Sequence, residues 1–259
     1  MSREAALCSP ETIDFYRRML KPFLAQANGA QPSNRLVREF LSTVAQRGVS
    51  SATVHAHARA VRAFLRFAHE EGWIEEPVTV RMPRLEEKRM EVLSAEDVKR
   101  VLSVCGTRDR ALVMTLIDSG LRRAEALDLT WEDLDFHTGA VHVRRGKGGK
   151  ARVTYVGAKT RRALLRWGGG QRSSAIFPLT PSGAATLMTR LSHESGIHIT
   201  FHKCRRTFAT WALRNGLDLF SLQRLLGHTS LEMVRKYAQQ TDGDLRCGHM
   251  RASPVDGLM

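Results

Sequence analysis

Cysteine is scarce in this chain and poorly placed for cross-linking. The four in 259 residues, Cys8, Cys105, Cys204 and Cys247, lie far apart and form no C-x-x-C pair. That spacing supports neither a disulfide framework nor a zinc module. His202, Cys204, Cys247 and His249 are the one combination that could gather round a metal, and nothing in their spacing requires it; no metal and no cofactor are expected. No run approaches the roughly 18 consecutive apolar residues of a membrane span. The opening residues, MSREAALCSPET, lack a hydrophobic signal core, so a cytoplasmic location with reduced thiols is expected. Acid is also in short supply, with 26 Asp and Glu against 40 Lys and Arg, a net charge of +14. Of those 40 cations, 32 are arginine. Such an excess points to a polyanionic partner, most commonly nucleic acid, although a basic enzyme acting on small anions stays open at this stage. The 42% hydrophobic and 25% charged fractions exclude a disordered or fibrous chain.

Periodicity divides the chain into a small helical part and a larger mixed one. Ser9-Pro10-Glu11 is a helix start, with a capping hydroxyl, proline in the first turn and an acid beside it. Ile13, Tyr16, Leu20, Phe23 and Leu24 then share one helical face. A second helix is expected from Ser33 to Gly48, and a third from Ser50 or Ser51 to Glu71, ended by Gly72. The polar face of the third carries His55, Arg59, Arg62 and Arg66, a row suited to a phosphate backbone and equally well to solvent. Residues 75–93 read as an ordered linker. A second domain opens at Ser94-Ala95-Glu96-Asp97, a capping-box-like start. After Leu134 the period shortens to two. Val141 and Val143 alternate with His142 and Arg144, and Val153 and Tyr155 alternate with Arg152 and Thr154, which predicts a small hairpin. Helices are expected over about 158–167, 181–195, 203–215, 218–226 and 230–239. The +14 charge divides as +4 in residues 1–90 and +10 in the remainder, so both parts are suited to gripping one polyanion.

Four segments carry side chains fit for chemistry. In Ser119-Gly120-Leu121-Arg122-Arg123-Ala124-Glu125, the glycine turns the backbone and presents Arg122 at a helix start. Glu125, three residues on, can orient an arginine or cap the helix; an ordinary inter-helix turn has the same form. The hairpin turn holds Gly146, Gly148 and Gly149 among Arg144, Arg145, Lys147, Lys150 and Arg152. It is no P-loop, because Gly149-Lys150 is followed by Ala151 and the earlier glycine position is Arg144. A lysine on its tip, Lys147, could reach a substrate groove, or the loop could be merely solvated. His202 and Arg205 stand three apart on one helix face, next to Arg206. Finally, Leu226-Gly227-His228 precedes a Thr229/Glu232 capping box and a helix bearing Tyr237. A lone tyrosine on a helix is ordinarily an amphipathic core edge.

Taken together, Arg122, Lys147, His202, Arg205, His228 and Tyr237 are the parts needed to cleave a phosphodiester without metal. With a reference pKa of about 10, only roughly one tyrosine in a thousand is ionised at pH 7, so a nucleophilic phenol needs a positive, proton-accepting setting. Two arginines can hold the non-bridging oxygens and stabilise charge in the pentacovalent transition state. Lysine could protonate the departing 5′-oxygen while the histidines orient or shuttle protons.

At these residues the chain resembles the tyrosine recombinase (phage integrase) family, near its Xer-like and integrative-element branch. The family motifs G-L-R-x-x-E, a hairpin lysine, H-x-x-R and L-G-H followed nine residues later by tyrosine are matched by Gly120–Glu125, Lys147, His202–Arg205 and Leu226–His228 with Tyr237. The resemblance covers nearly the whole chain. It implies a mainly α fold with a small antiparallel β-hairpin: a helical, SAM-like core-binding domain over 1–85, a linker at 86–91, and a mixed α+β catalytic domain of the DNA breaking-rejoining type over 92–259. It further implies a C-shaped clamp on double-stranded DNA and cutting and rejoining, strand by strand, through a 3′-phosphotyrosyl intermediate. A homo-tetramer on paired sites is implied, with a monomer possible in solution, and a tail over 241–259 that packs on a neighbour. Arg122, Lys147, His202, Arg205, His228 and Tyr237 take the catalytic roles, with Glu125 in support. Arg59, Arg62, Arg66, Arg144, Arg145, Lys150, Arg152 and Arg206 are expected DNA contacts. Two departures stand out: Arg206 occupies a position where many relatives carry His, and Cys204 one more often filled by Leu. A type IB topoisomerase, a non-catalytic DNA-binding regulator and a chromosome-dimer resolvase are the competing readings.

Overall fold

Pro10 opens the helix α1 (Pro10–Ala27), where its fixed φ and missing N–H do no harm. The structure is a computed structural model that describes residues 10–85, 91–144, 151–168, 175–227 and Tyr237. By contact it divides into two units, 1–88 and 89–259. In the first, α1 is followed by α2 (Asn34–Gln46) and α3 (Ser51–Glu70). Ser33 and Ser50 cap the latter two, their hydroxyls accepting from Leu36 N at 3.2 Å and Thr53 N at 3.3 Å. Gly48 and Gly72 end these helices at φ +70° and +71°. Phe23, Phe40, Val44, Val61 and Leu65 form the core, with the Phe23 and Phe40 rings edge to face at 5.3 Å. Each such side chain contributes about 1.5–3 kcal/mol by leaving water. Pro22 sits inside α1 and cannot donate to the carbonyl of Arg18. The next carbonyl, that of Met19, is bonded by buried His57 Nδ1 at 2.9 Å, which ties α3 to α1. Arg59, Arg62 and Arg66 lie on the exposed face of α3. Arg59 stacks over Phe15 at 4.9 Å, and Arg66 faces Glu70 at 3.5 Å.

The second unit begins with α4 (Ala95–Ser103), and the expected capping box is present: Ser94 N donates to Asp97 Oδ2 at 2.9 Å, and Asp97 N to Ser94 Oγ at 3.0 Å. Helix α5 (Thr107–Ser119) is central. Its Leu112, Val113 and Leu116 have no exposed surface, and it packs against α7 (Ala158–Gly168) and α9 (Phe201–Arg214). Short α6 (Arg123–Leu127) follows, then a 3₁₀ turn at Trp131–Asp133 that helical periodicity did not foretell. The turn is held by Asp133 Oδ2, which accepts from the backbone N and the hydroxyl of Thr130 at 3.0 and 2.8 Å. Strands β1 (Ala140–Val143) and β2 (Arg152–Tyr155) pair antiparallel, with Val141 opposite Thr154 and Val143 opposite Arg152. The rest is helical: α7, α8 (Pro181–Ser195), α9 and α10 (Leu219–Leu226). Tyr237 is helical as expected; the other residues of the helix expected over 230–239 lie outside the described residues. The chain is therefore mainly α with a two-stranded antiparallel sheet.

Val153 and Tyr155, the apolar members of the β2 alternation, are 38% and 53% exposed, while Thr154 is fully buried. Register is the cause. Cross-strand partners share a face, so pairing with buried Val141 and Val143 turns Thr154 and Arg152 to the interior. Thr154 is satisfied there by donating to the Ser119 carbonyl at 2.8 Å.

Candidate active site

Gly120 ends α5 in the left-handed region at φ +64°. A Cβ there would lie 2.3 Å from a ring carbon of Phe208. Both the conformation and the space therefore require glycine. Gly120→Ala combines roughly 1–2 kcal/mol of left-handed strain with about 1–3 kcal/mol of overpacking. The melting temperature is expected to fall by about 5 °C or more; an unchanged melting curve would show that the turn relaxes without penalty.

This turn delivers Arg122 in extended backbone (φ −74°, ψ 158°) at the start of α6. Glu125 Oε2 accepts from the Arg122 backbone N at 2.7 Å, and Oε1 from the Arg122 guanidinium at 2.8 Å. Glu125 is buried and receives a second guanidinium, that of Arg152, whose Nη1 and Nη2 donate to its two oxygens at 2.7 and 2.8 Å. Burial by itself would raise the carboxyl pKa. The hydrogen bonds from Arg152 and from the Arg122 backbone outweigh it and hold Glu125 down to about 2, so it is an anion at any working pH. Arg152 Nε donates to the Leu225 carbonyl at 2.7 Å.

Arg205 is 5% exposed and spans two helix ends. Its Nη1 donates to the Gly120 carbonyl at 2.5 Å, and Nη2 to the Leu226 carbonyl at 2.6 Å. Those carbonyls lie at the C-termini of α5 and α10, where cations are favoured by the helix dipole. Burial, then the neighbouring charge of Arg122, lower Arg205 to about 10, which leaves it cationic at neutral pH. Glu125, Arg152 and Tyr237 act on the same guanidinium, so these five side chains occupy one electrostatic neighbourhood. Tyr237 is buried at 7% exposure against Ala209, Leu222 and Leu226. His202, one turn before Arg205 on α9, is exposed. Its pKa is lowered by partial burial and then by Arg206, Arg205, Arg122 and Arg123.

The structure thus brings Arg122, Glu125, His202, Arg205 and Tyr237 together. Lys147, His228, Arg145 and Lys150 lie outside the described residues. Arg206 is half-buried beside His202. Arg144 is 61% exposed, with Nε 2.5 Å from buried Asp133. Arg152, expected as a DNA contact, is the correction. Its side chain is only 7% exposed and all three nitrogens are engaged internally, because the hairpin register turns it inward. Pairing of β2 with buried Val143 was the signal that could have found it. Cys204 is fully buried, with its thiol pushed up to about 12 by burial, as suits a packing position. Among the described residues, no group of three or more His, Cys, Asp or Glu side chains is placed to share a metal.

A helical unit followed by a mixed unit in which a buried arginine, a carboxylate-held arginine and a tyrosine converge has the form of a DNA breaking-rejoining enzyme. Residues 91–243 match the model of the phage integrase family, and residues 3–72 that of the phage integrase N-terminal SAM-like domain. The chain belongs to the phage integrase family. It is 30% identical to tyrosine recombinase XerA of Thermococcus onnurineus over 97% of this chain and 92% of the relative. To tyrosine recombinase XerC of Xanthomonas campestris pv. campestris it is 32% identical over 88% and 78%. In fold it is similar to the Tn1549 transposon integrase in complex with transposon right end DNA (TM-score 0.77, 18% identity, 97% and 96% covered). A lambda integrase dimer bound to a core site is likewise similar (TM-score 0.75, 18% identity, 88% of each chain).

Proposed function

We propose that this protein is a tyrosine-type site-specific DNA recombinase or integrase, and that Tyr237 is its nucleophile. The observation that carries the assignment is the neighbourhood of Arg122, Glu125, Arg205 and Tyr237. Relatives named tyrosine recombinases and integrases solved on DNA support the same reading. The Tyr237 oxygen attacks a backbone phosphorus and the bond to the 5′-oxygen breaks, leaving a 3′-phosphotyrosyl ester and a free 5′-hydroxyl. Arg122 and Arg205 hold the non-bridging oxygens and stabilise the charge of the transition state. Lys147 protonates the departing oxygen, and His202 with His228 moves the phenol proton. The ester keeps the bond energy, so attack by a 5′-hydroxyl reseals the strand without ATP.

Residues 1–85 serve as the core-binding domain, joined by 86–91 to a catalytic domain over 92–259. The row Arg59, Arg62 and Arg66, with Arg144, Arg145, Lys150 and Arg206, contacts phosphates. Four copies act on paired sites, the 241–259 tail of each packing on its neighbour, and the reaction takes place in the cytoplasm; among the described residues no helix is long and apolar enough to cross a membrane. The test is covalent trapping on a library of nicked duplexes, in which the cut fragment carrying the 5′-hydroxyl diffuses away. A protein–DNA adduct stable to denaturation, formed equally in EDTA, is expected. Absence of adduct on every duplex would reject the enzyme, and adduct formation that required Mg²⁺ would replace the proposed chemistry.

The depressed His202 pKa gives a pH prediction. Burial and neighbouring cations disfavour its protonated form, so the neutral imidazole persists below its ordinary 6.5. The acid limb of single-turnover cleavage should therefore have its midpoint below pH 6.5 and disappear in His202→Gln. A limb centred above that value, or one unchanged in the variant, would remove His202 from proton transfer.

A further inference from the structure

Arg152 has no role in the chemistry just described, yet its side chain is only 7% exposed and all three of its guanidinium nitrogens are engaged. Its three guanidinium nitrogens contact two separate pieces of the site, Glu125 on α6 and the Leu225 carbonyl in the last turn of α10. The fit is close from a third side as well. Gly227 holds φ +63°, and a Cβ on it would come within 2.9 Å of Arg152 Cδ. In chain order Arg152 is the first residue of β2, five residues after Lys147, and Leu225 is three residues before His228.

We infer that Arg152 is a positioning residue, a buried guanidinium that locks the Glu125 carboxylate onto Arg122 and ties that lock to the end of α10 beside Arg205. The geometry requires this side chain and not merely a positive charge. A planar fork satisfies both carboxylate oxygens in one plane while its Nε reaches a carbonyl on another element; a lysine ammonium cannot do both. Glu125 in turn has no solvent to replace a lost donor, since its side chain is 4% exposed. Among the described residues, the charged groups facing it are Arg122 from α6, Arg152 from β2 and Arg205 from α9. With the fork removed, burial dominates, the carboxyl pKa rises, and a protonated Glu125 releases its grip on the Arg122 guanidinium. Displacing a catalytic group by as little as about 1 Å can cost on the order of 10²-fold in rate. The same engagement excludes Arg152 from touching DNA phosphates.

The inference rests on the recombinase reading, and the test separates the two by running wild type beside Arg152→Lys, Glu125→Gln and the double variant on one nicked substrate. Binding is measured by gel shift and single-turnover adduct formation across pH. Expected is a roughly 10–100-fold slower cleavage in Arg152→Lys, with affinity within about twofold and an additional acid limb, from protonation of Glu125, beside that of His202. Glu125→Gln should slow cleavage without gaining that acid limb, and the double variant should be no slower than the slower single one, as for residues acting through one contact. A wild-type rate in Arg152→Lys overturns the inference. So does weaker DNA binding with an unchanged rate in the bound complex, which would return Arg152 to phosphate contact, and so do strictly multiplicative losses in the double variant. If Arg152→Lys does not fold, Glu125→Gln alone decides: unimpaired cleavage there overturns the lock. No adduct from wild type would instead overturn the recombinase reading.

Discussion

Tyr237→Phe should yield a folded, DNA-binding protein that forms no covalent adduct. The ring is buried against Ala209, Leu222 and Leu226, and phenylalanine keeps that apolar surface. What is lost is one hydroxyl and its interaction with the positive cluster around Arg205. Stability should change by no more than about 1.5 kcal/mol, the net worth of one ordinary hydrogen bond. Binding through exposed arginines should persist and weaken steeply with salt, as expected where many phosphates are neutralised. Cleavage should fall on the order of 10⁴-fold or more, because no other group supplies the bond-forming oxygen. The measurement is adduct on a nicked duplex after denaturation, with gel shift alongside. Adducts at wild-type yield would transfer the nucleophile to another residue. Loss of both binding and adduct would mean that the hydroxyl is needed to hold the fold or the DNA, and would leave the nucleophile unassigned.

Legibility in the sequence followed the range of the interactions involved. Helices were readable because their signals are local: Ser33, Ser50 and Ser94 mark starts, Gly48 and Gly72 mark ends, and apolar residues recur at helical spacing between them. The Gly120 turn was readable for the same reason, though its clash with Phe208, 88 positions away, was not. The 3₁₀ turn at Trp131 escaped because three residues are too few to establish a period. The partnership of Arg122 with Glu125 is encoded at i, i+3 and could be anticipated. The partnership of Arg152 with Glu125 spans 27 positions and depends on strand register, so composition placed Arg152 with the other exposed cations of a basic loop. The alternation of Val153 and Tyr155 is genuine and marks the strand, but which face is inward is decided by the partner strand. Arg205 was recognisable through its motif, whereas its bonds to the Gly120 and Leu226 carbonyls are tertiary facts with no sequence signature.

Those two carbonyls make Arg205 the position where catalysis and stability are most strongly joined. In Arg205→Ala both acceptors, buried at the ends of α5 and α10, lose their donor. Each buried group left unsatisfied costs about 1–3 kcal/mol, so a total loss of about 2–6 kcal/mol in unfolding free energy is expected. Glu125 would also lose one of the cations that face it, while Arg122 would be relieved of a like charge, two smaller effects of opposite sign. On the reaction, removing a guanidinium from the phosphate clamp should slow cleavage on the order of 10²–10³-fold or more. The two effects separate by measuring denaturant unfolding first and then single-turnover adduct formation at a temperature where the variant is fully folded. Arg205→Lys should recover part of the stability, since an ammonium can still reach one carbonyl, but little of the rate, since it cannot present a fork to phosphate oxygens. A lysine variant that cleaves like wild type would reduce Arg205 to a point charge. A folded alanine variant with normal cleavage would leave it a helix-end cap and nothing more.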